Sequence, residues 1–153
     1  LRLVSSAFRL VSDLYHADTM TSDIAFILGE LSKKVVKHLG DTFSDMAERS
    51  ATMVENATKA FVESDEKLAR EVIASDDAVD KLYSGAEDMI VDFIRNGKSV
   101  SKALPELLMI AKYFERIGDQ AQRVAAWAIF RVTGERVLVR ELDASDEGEE
   151  AGE

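Results

Sequence analysis

The sequence contains no cysteine, a single proline at position 105, and no uninterrupted hydrophobic run longer than the seven residues 124–130. Without cysteine there is no disulfide framework, thiolate zinc site, iron–sulfur cluster or cysteine nucleophile, a composition compatible with a reducing, cytoplasmic setting. A helix crossing a bilayer needs about 20 apolar residues, so no transmembrane segment is expected. Basic residues are also scarce, 19 Lys and Arg against 29 Asp and Glu for a net charge of −10. Contacts to phosphate backbones or anionic lipid need clustered positive charge, so neither nucleic-acid binding nor membrane insertion is expected. Residues 1–11 are interrupted by Arg2 and Arg9 and read as an amphipathic helix rather than a signal peptide, and the chain is expected to begin inside a larger protein.

What is there is a chain of 153 residues, 46% hydrophobic, enough for one domain with a real core. Apolar residues recur at intervals of three and four and not two, which predicts an all-α fold, an antiparallel bundle of about four long helices. The first follows Leu3, Ala7, Leu10, Leu14, Ala17, Ile24 and Leu28 into the low thirties, and Gly40 and Asp41 mark the next boundary. The second follows Phe43, Met46, Ser50, Met53, Ala57 and Phe61 and stops near Ser64 and Asp65, whose side-chain oxygens can cap the third. The third follows Leu68, Val72, Ile73, Tyr83, Ile90 and Ile94. Asn96-Gly97-Lys98-Ser99 then reads as a stop and a start, with Ser99 or Ser101 as N-cap. The fourth carries Leu104, Leu107, Leu108, Ala111, Phe114, Ala121, Val124 and Val132, with Pro105 in its first turn and Gly134 as its C-cap. Residues 141–153 hold seven acidic groups and no Lys or Arg, so a disordered, solubilising tail is expected over 140–153.

Four carboxylates fall where apolar side chains are expected. Asp76 is Val72 plus four and Asp80 is Ile73 plus seven, while Glu115 is Ala111 plus four with Asp119 one turn on and Gly118 beside it. With 29 acidic residues about five i, i+4 pairs arise by chance, so the spacing alone says little. Their placement says more, because 76 with 119, and 80 with 115, are both centred on the turn at 96–99. In an antiparallel hairpin the four then meet at one level, about 27 Å from the turn at about 1.5 Å per residue. Ionised carboxylates brought together require protons, cationic side chains or metal ions. Lys112 and Arg116 read as turning away from the Glu115 line, so the residues alone leave a hard-metal site and a solvated acidic groove equally open.

The segment 111–135, AKYFERIGDQAQRVAAWAIFRVTGE with Glu115-Arg116-Ile117-Gly118-Asp119 at its core, closely resembles the signature of PhoU proteins, accessory regulators of bacterial phosphate-specific transport. REVIASDDAVDKL, residues 70–82, resembles the partner DxxxD motif, with Asp76 and Asp80 at its acidic positions. The similarity divides the chain into a terminal helix over 1–38, resembling the end of a first PhoU repeat, a three-helix repeat over 41–139 and the acidic tail over 140–153. In the first-repeat counterpart SDLYHADTMTSDIA, Tyr15 and Thr19 stand where the family has its acidic pair, with His16, Asp18 and Asp23 close by.

The resemblance implies a non-enzymatic adaptor between the phosphate ABC transporter ATPase and a sensor histidine kinase, a negative regulator of the phosphate regulon. It also implies divalent or ferric ions, iron or zinc, as a multinuclear cluster on Asp76, Asp80, Glu115 and Asp119. No catalytic residue is assigned. The alternatives are a carboxylate-bridged metalloenzyme, against which the absence of histidine from both helices weighs, and a purely structural helical interaction module. Trp127 and Phe130 are expected in the core or a dimer interface, the methionines as core filler, Arg116 as a solvated charge, and the uncovered side of the first helix in a homodimer.

Overall fold

The computed structural model describes residues 1–37, 40–95 and 103–139. Five helices follow in order: α1 (Arg2–Glu30), α2 (Lys33–Lys37), α3 (Gly40–Glu63), α4 (Glu66–Arg95) and α5 (Leu104–Thr133). Four are long, none of the described residues forms a strand, and the all-α bundle matches the expectation from the apolar spacing. The five-residue α2 is an addition to it. No helix among the described residues is long and apolar enough to cross a membrane.

Helix α5 is the axis of the fold and packs against α1, α3 and α4, while α3 also packs against α4. Its sequence explains this role. Ala111, Gly118, Ala121, Ala125 and Ala128 are small and buried, letting three neighbours approach its backbone. The core divides into two apolar clusters along the bundle. One gathers Phe43, Met46, Ala86, Ile90, Leu107 and Ile110, and the other Met53, Phe61, Val72, Val79, Val124 and Ile129.

The α3–α4 turn has two residues. Ser64 takes a left-handed conformation at φ 60°, its N–H donates to the Phe61 carbonyl, and the Asp65 N–H donates to the Ala60 carbonyl. This is a Schellman closure with serine in glycine's usual place. Asp65 then caps α4, Oδ1 accepting from the Leu68 N–H at 3.0 Å. The Arg131 guanidinium of α5 donates to the Val62 carbonyl at the end of α3 and, beside the Ser64 N–H, is a second donor to the Phe61 carbonyl. Gly40 (φ 64°) opens α3, Pro105 lies in the first turn of α5, and Gly134 (φ 78°) closes α5. The turn at 96–99, the caps at Ser99 and Ser101, and the tail at 140–153 lie outside the described residues.

Several side chains assigned to the core from the sequence are at its edge. Leu3, Leu108 and Ile94 are exposed, as is Met109, which therefore fills no core space. Helix α1 carries a second apolar face that the bundle leaves uncovered. Leu1, Val4, Phe8, Val11 and Tyr15 recur at three, four, three and four residues, and Phe8 is 75% exposed.

Candidate functional site

Asp76 projects from α4 toward α5. A Cβ built on Gly118 would lie 3.2 Å from Asp76 Oδ1, with Met53 Sδ and Val79 Cγ1 each at 3.7 Å. The absent side chain at 118 is the space that admits the carboxylate between helices. One turn farther along α5, Gln122 Nε2 donates to the Ile73 carbonyl of α4 at 3.1 Å, pinning the two helices in this register. Glu115, one turn back, is only 6% exposed, and Asp119 is half-buried.

Asp80 departs from the expected placement. It is exposed, because Ile73 sits at the edge of the α4 stripe and a heptad step along a helix drifts by about 20°. The structure thus brings Asp76 and Glu115 to the α4–α5 seam, keeps Asp119 half-buried one turn along α5 from Glu115, and leaves Asp80 on the rim. As the side chains stand, no three acidic or histidine groups among the described residues are gathered closely enough to hold a metal ion.

Lys112 requires a second correction. Its Nζ lies 2.7 Å from Glu115 Oε2 across an i, i+3 step, so it does not turn away from the Glu115 line. The four-carbon stem lets the ammonium meet the carboxylate one turn on, a reach that Cβ direction alone understates. The same Nζ stands 5.1 Å from the centre of the Tyr83 ring on α4. Burial, and next the Glu87 carboxylate to which it donates, hold the Tyr83 phenol above its ordinary value. The donor set is all oxygen, which suits a hard cation in kind, and Glu115 already carries a cation in Lys112.

The first-repeat counterpart is arranged differently. Tyr15, His16, Asp18, Thr19 and Asp23 are all exposed, and the Thr19 hydroxyl donates to the Tyr15 carbonyl of its own helix. The carboxylate that α1 turns toward α5 is Asp13, only 3% exposed. It ion-pairs with Arg123 Nε at 3.2 Å, and Trp127 Nε1 donates to its other oxygen at 3.2 Å. Burial nevertheless raises the Asp13 carboxyl above its ordinary value, outweighing Arg123 and Trp127. Reading the sequence missed this clasp, although Asp13 lies four residues before Ala17 on the buried stripe, the signal that drew attention to Asp76. Trp127 itself packs against the second cluster, and its ring meets Phe130 edge-on at 5.9 Å.

An α-helical repeat organised on one central helix, with acidic groups drawn into the seam between its last two helices, is the class of protein these features define. The PhoU domain profile matches residues 43–128, spanning α3, α4 and most of α5. The chain belongs to the PhoU family. It is 30% identical over 141 residues to the phosphate-specific transport system accessory protein PhoU homolog of Clostridium acetobutylicum, covering 90% of this chain and 63% of that protein. Over 151 residues it is 27% identical to PhoU homolog 1 of Thermotoga maritima, covering 97% of this chain and 65% of the relative. Homolog 1 of Methanothermobacter thermautotrophicus is 26% identical over 137 residues, or 89% of this chain and 63% of that protein. The chain therefore spans somewhat less than two thirds of the length of these relatives.

Proposed function

We propose that the chain belongs to a cytoplasmic, non-enzymatic adaptor of phosphate signalling that links the phosphate-specific ABC transporter ATPase to a sensor histidine kinase and represses the phosphate regulon when phosphate is plentiful. The observation that carries this reading is the ERIGD segment of α5, which within a PhoU domain sets Glu115 in the seam where Asp76 of α4 abuts Gly118. The names of the relatives support a part in phosphate-specific transport. The test is complementation of a bacterium lacking its own PhoU protein, read by a phosphate-regulon reporter in high phosphate. Restored repression, with co-purification of the ATPase and the kinase, is expected. Unrepressed reporter despite a folded, expressed chain overturns it.

In the same proposal Asp76, Asp80, Glu115 and Asp119 hold iron or zinc, as one ion or a cluster. Holding a metal requires Asp80 to turn inward and Glu115 to exchange its ammonium partner. Elemental analysis of protein prepared without chelator, beside an Asp76→Ala/Glu115→Ala variant, tests this. Stoichiometric metal lost in the variant is expected, and metal-free protein refutes it. The uncovered α1 face is proposed to pair with a second copy. In an antiparallel pairing Val4 meets Tyr15 and Phe8 meets Val11, large against small in each layer, with Ser5 and Ser12 at the flank in place of like charges. Sedimentation should give a dimer that Phe8→Glu dissociates; a monomer at high micromolar concentration overturns the pairing.

A further inference from the structure

We propose that the groove between α3 and α4 is a docking site for an amphipathic helical segment of a partner protein, one that carries lysine or arginine on the flanks of an apolar stripe. The groove has a volume of about 500 Å³, within the range of ligand-binding clefts. On α3 it runs from Asp45 to Asn56, about 16 Å at about 1.5 Å per residue, which accepts about three turns of a helix laid along it. Neither the phosphate reading nor the metal reading is needed for this docking.

The sequence leaves the space open. Thr52 and Asn56 of α3 and Ser75 of α4 are short polar side chains on the groove wall, and they leave volume that large apolar ones would fill. The Ser75 hydroxyl is folded back onto its own helix, donating to the Val72 carbonyl at 2.7 Å. Met53 and Val72, both buried, and half-buried Leu68 supply an apolar floor.

Charge decides the kind of occupant. Asp45 and Glu48 of α3 and Glu71 of α4 line the groove against one guanidinium, that of Arg49. Asp45, Glu48 and Arg49 form no ion pair among the described residues, although Arg49 lies one turn after Asp45. Glu71 has only Lys67 at 3.8 Å, and that lysine is 88% exposed. The three carboxylates therefore keep their charge for an incoming cation, while an acidic segment is repelled. A lysine or arginine satisfies both parts of the groove, with its methylenes on Met53, Leu68 and Val72 and its charged end at the rim. Glu71 lies toward the α3–α4 turn and Asp45 and Glu48 toward the opposite end of α3, so the acidic groups bracket the apolar floor. That spacing fits a helix with cations at both ends of its apolar stripe and does not fit a single bound ion.

The experiment mixes the full chain with a fluorescein-labelled synthetic peptide of about 14 residues, leucine and alanine on one face and lysines on its flanks, and with a counterpart bearing glutamate for every lysine. Fluorescence anisotropy is expected to show saturable binding of the lysine peptide that weakens with salt, and none of the glutamate peptide. Amide resonances of residues 45–56 and 68–75 should shift on titration. The Asp45→Asn/Glu48→Gln/Glu71→Gln variant should bind about tenfold more weakly, the product of a small factor for each exposed charge contact, and Arg49→Gln about twofold more tightly. All four positions are exposed, and far-UV circular dichroism confirms that the variants are folded. An Asp18→Asn/Asp23→Asn/Glu30→Gln variant removes the same charge from α1, outside the groove, and should bind as the parent does. Equal weakening in this control, equal binding of the glutamate peptide, or resonance shifts confined to helices other than α3 and α4 would overturn the groove as the docking site. So would the absence of binding at millimolar peptide.

Discussion

The Asp13–Arg123 pair is the point where α1 is held to α5 by charge, and replacing Arg123 by methionine tests whether burial or pairing governs it. Removing one partner of a buried ion pair costs about 3–5 kcal/mol, since the remaining charge is left desolvated. Arg123 is 26% exposed, so screening by water reduces the expected loss to about 2–3 kcal/mol. At about 2–4 °C per kcal/mol for a chain of this size, the midpoint should fall by roughly 5–10 °C. Asp13→Asn removes the buried charge and retains an acceptor for Trp127, so its cost should be about 1 kcal/mol.

The pH dependence separates the same alternatives. Burial holds the Asp13 carboxyl above its ordinary value of 3.8, so the folded chain takes up this proton at a pH where the unfolded chain has already lost it. Acidification through that window therefore adds stability from Asp13, with the gain complete below 3.8 and absent above the folded value. Urea unfolding followed by helical circular dichroism, with parent and Asp13→Asn compared from pH 7 to pH 3.5, measures the increment as a difference between the two curves. A parent that loses ground to Asp13→Asn on acidification would refute the dominance of burial. So would an Arg123→Met loss at pH 7 smaller than that of Asp13→Asn.

Three further substitutions probe local geometry, each by the same unfolding assay. Ser64→Gly should stabilise by about 0.5–1 kcal/mol, because serine bears the cost of the left-handed conformation at φ 60° that glycine adopts freely; a loss of stability would mean that the serine side chain holds the turn. Asp65→Ala should cost about 1 kcal/mol through the lost cap on the Leu68 N–H, and no change would show that water replaces it. Gly118→Ala gains about 1 kcal/mol of helix propensity but presses a methyl to 3.2 Å from Asp76 Oδ1. The gain should emerge in full only in an Asp76→Ala background, and equal effects in both backgrounds would show that Asp76 yields at no cost.

The long helices were legible because a period of three to four, the scarcity of proline and the placement of Gly40 and Gly134 are properties of the chain itself. Asp76 and Glu115 were legible for the same reason, being acidic groups on apolar stripes. Asp80 was misplaced because a stripe's edge residue, Ile73, was extended by a heptad as though it marked the centre. Lys112 was misread because Cβ direction fixes where a side chain leaves the helix and not where a flexible stem ends. The clasp of Asp13 with Arg123 and Trp127, and the arginine that closes α3, join positions 70 to 114 residues apart. No local spacing encodes such pairs, since they exist only once α5 has been laid across α1 and α3.

The polar groups of the seam lie where the core could least spare them. Where the two apolar clusters meet, α3 contributes Ser50 between Met46 and Met53, and α5 contributes Glu115 between Ala111 and Ile117 at the edge of the first cluster, both polar side chains buried. Apolar residues there would widen the bridge that Val54 already makes between the clusters and add about 1.5–3 kcal/mol for each large side chain buried. The glutamate instead requires a lysine to neutralise it, and the space of Gly118 goes to a second carboxylate from α4. Folding stability alone does not select that arrangement, because a buried ion pair is commonly no better than well-packed hydrocarbon of the same volume. The small residues of α5 make the fold tolerant of it, since Ala111, Ala121, Ala125 and Ala128 let the neighbouring helices close tightly on either side of the seam.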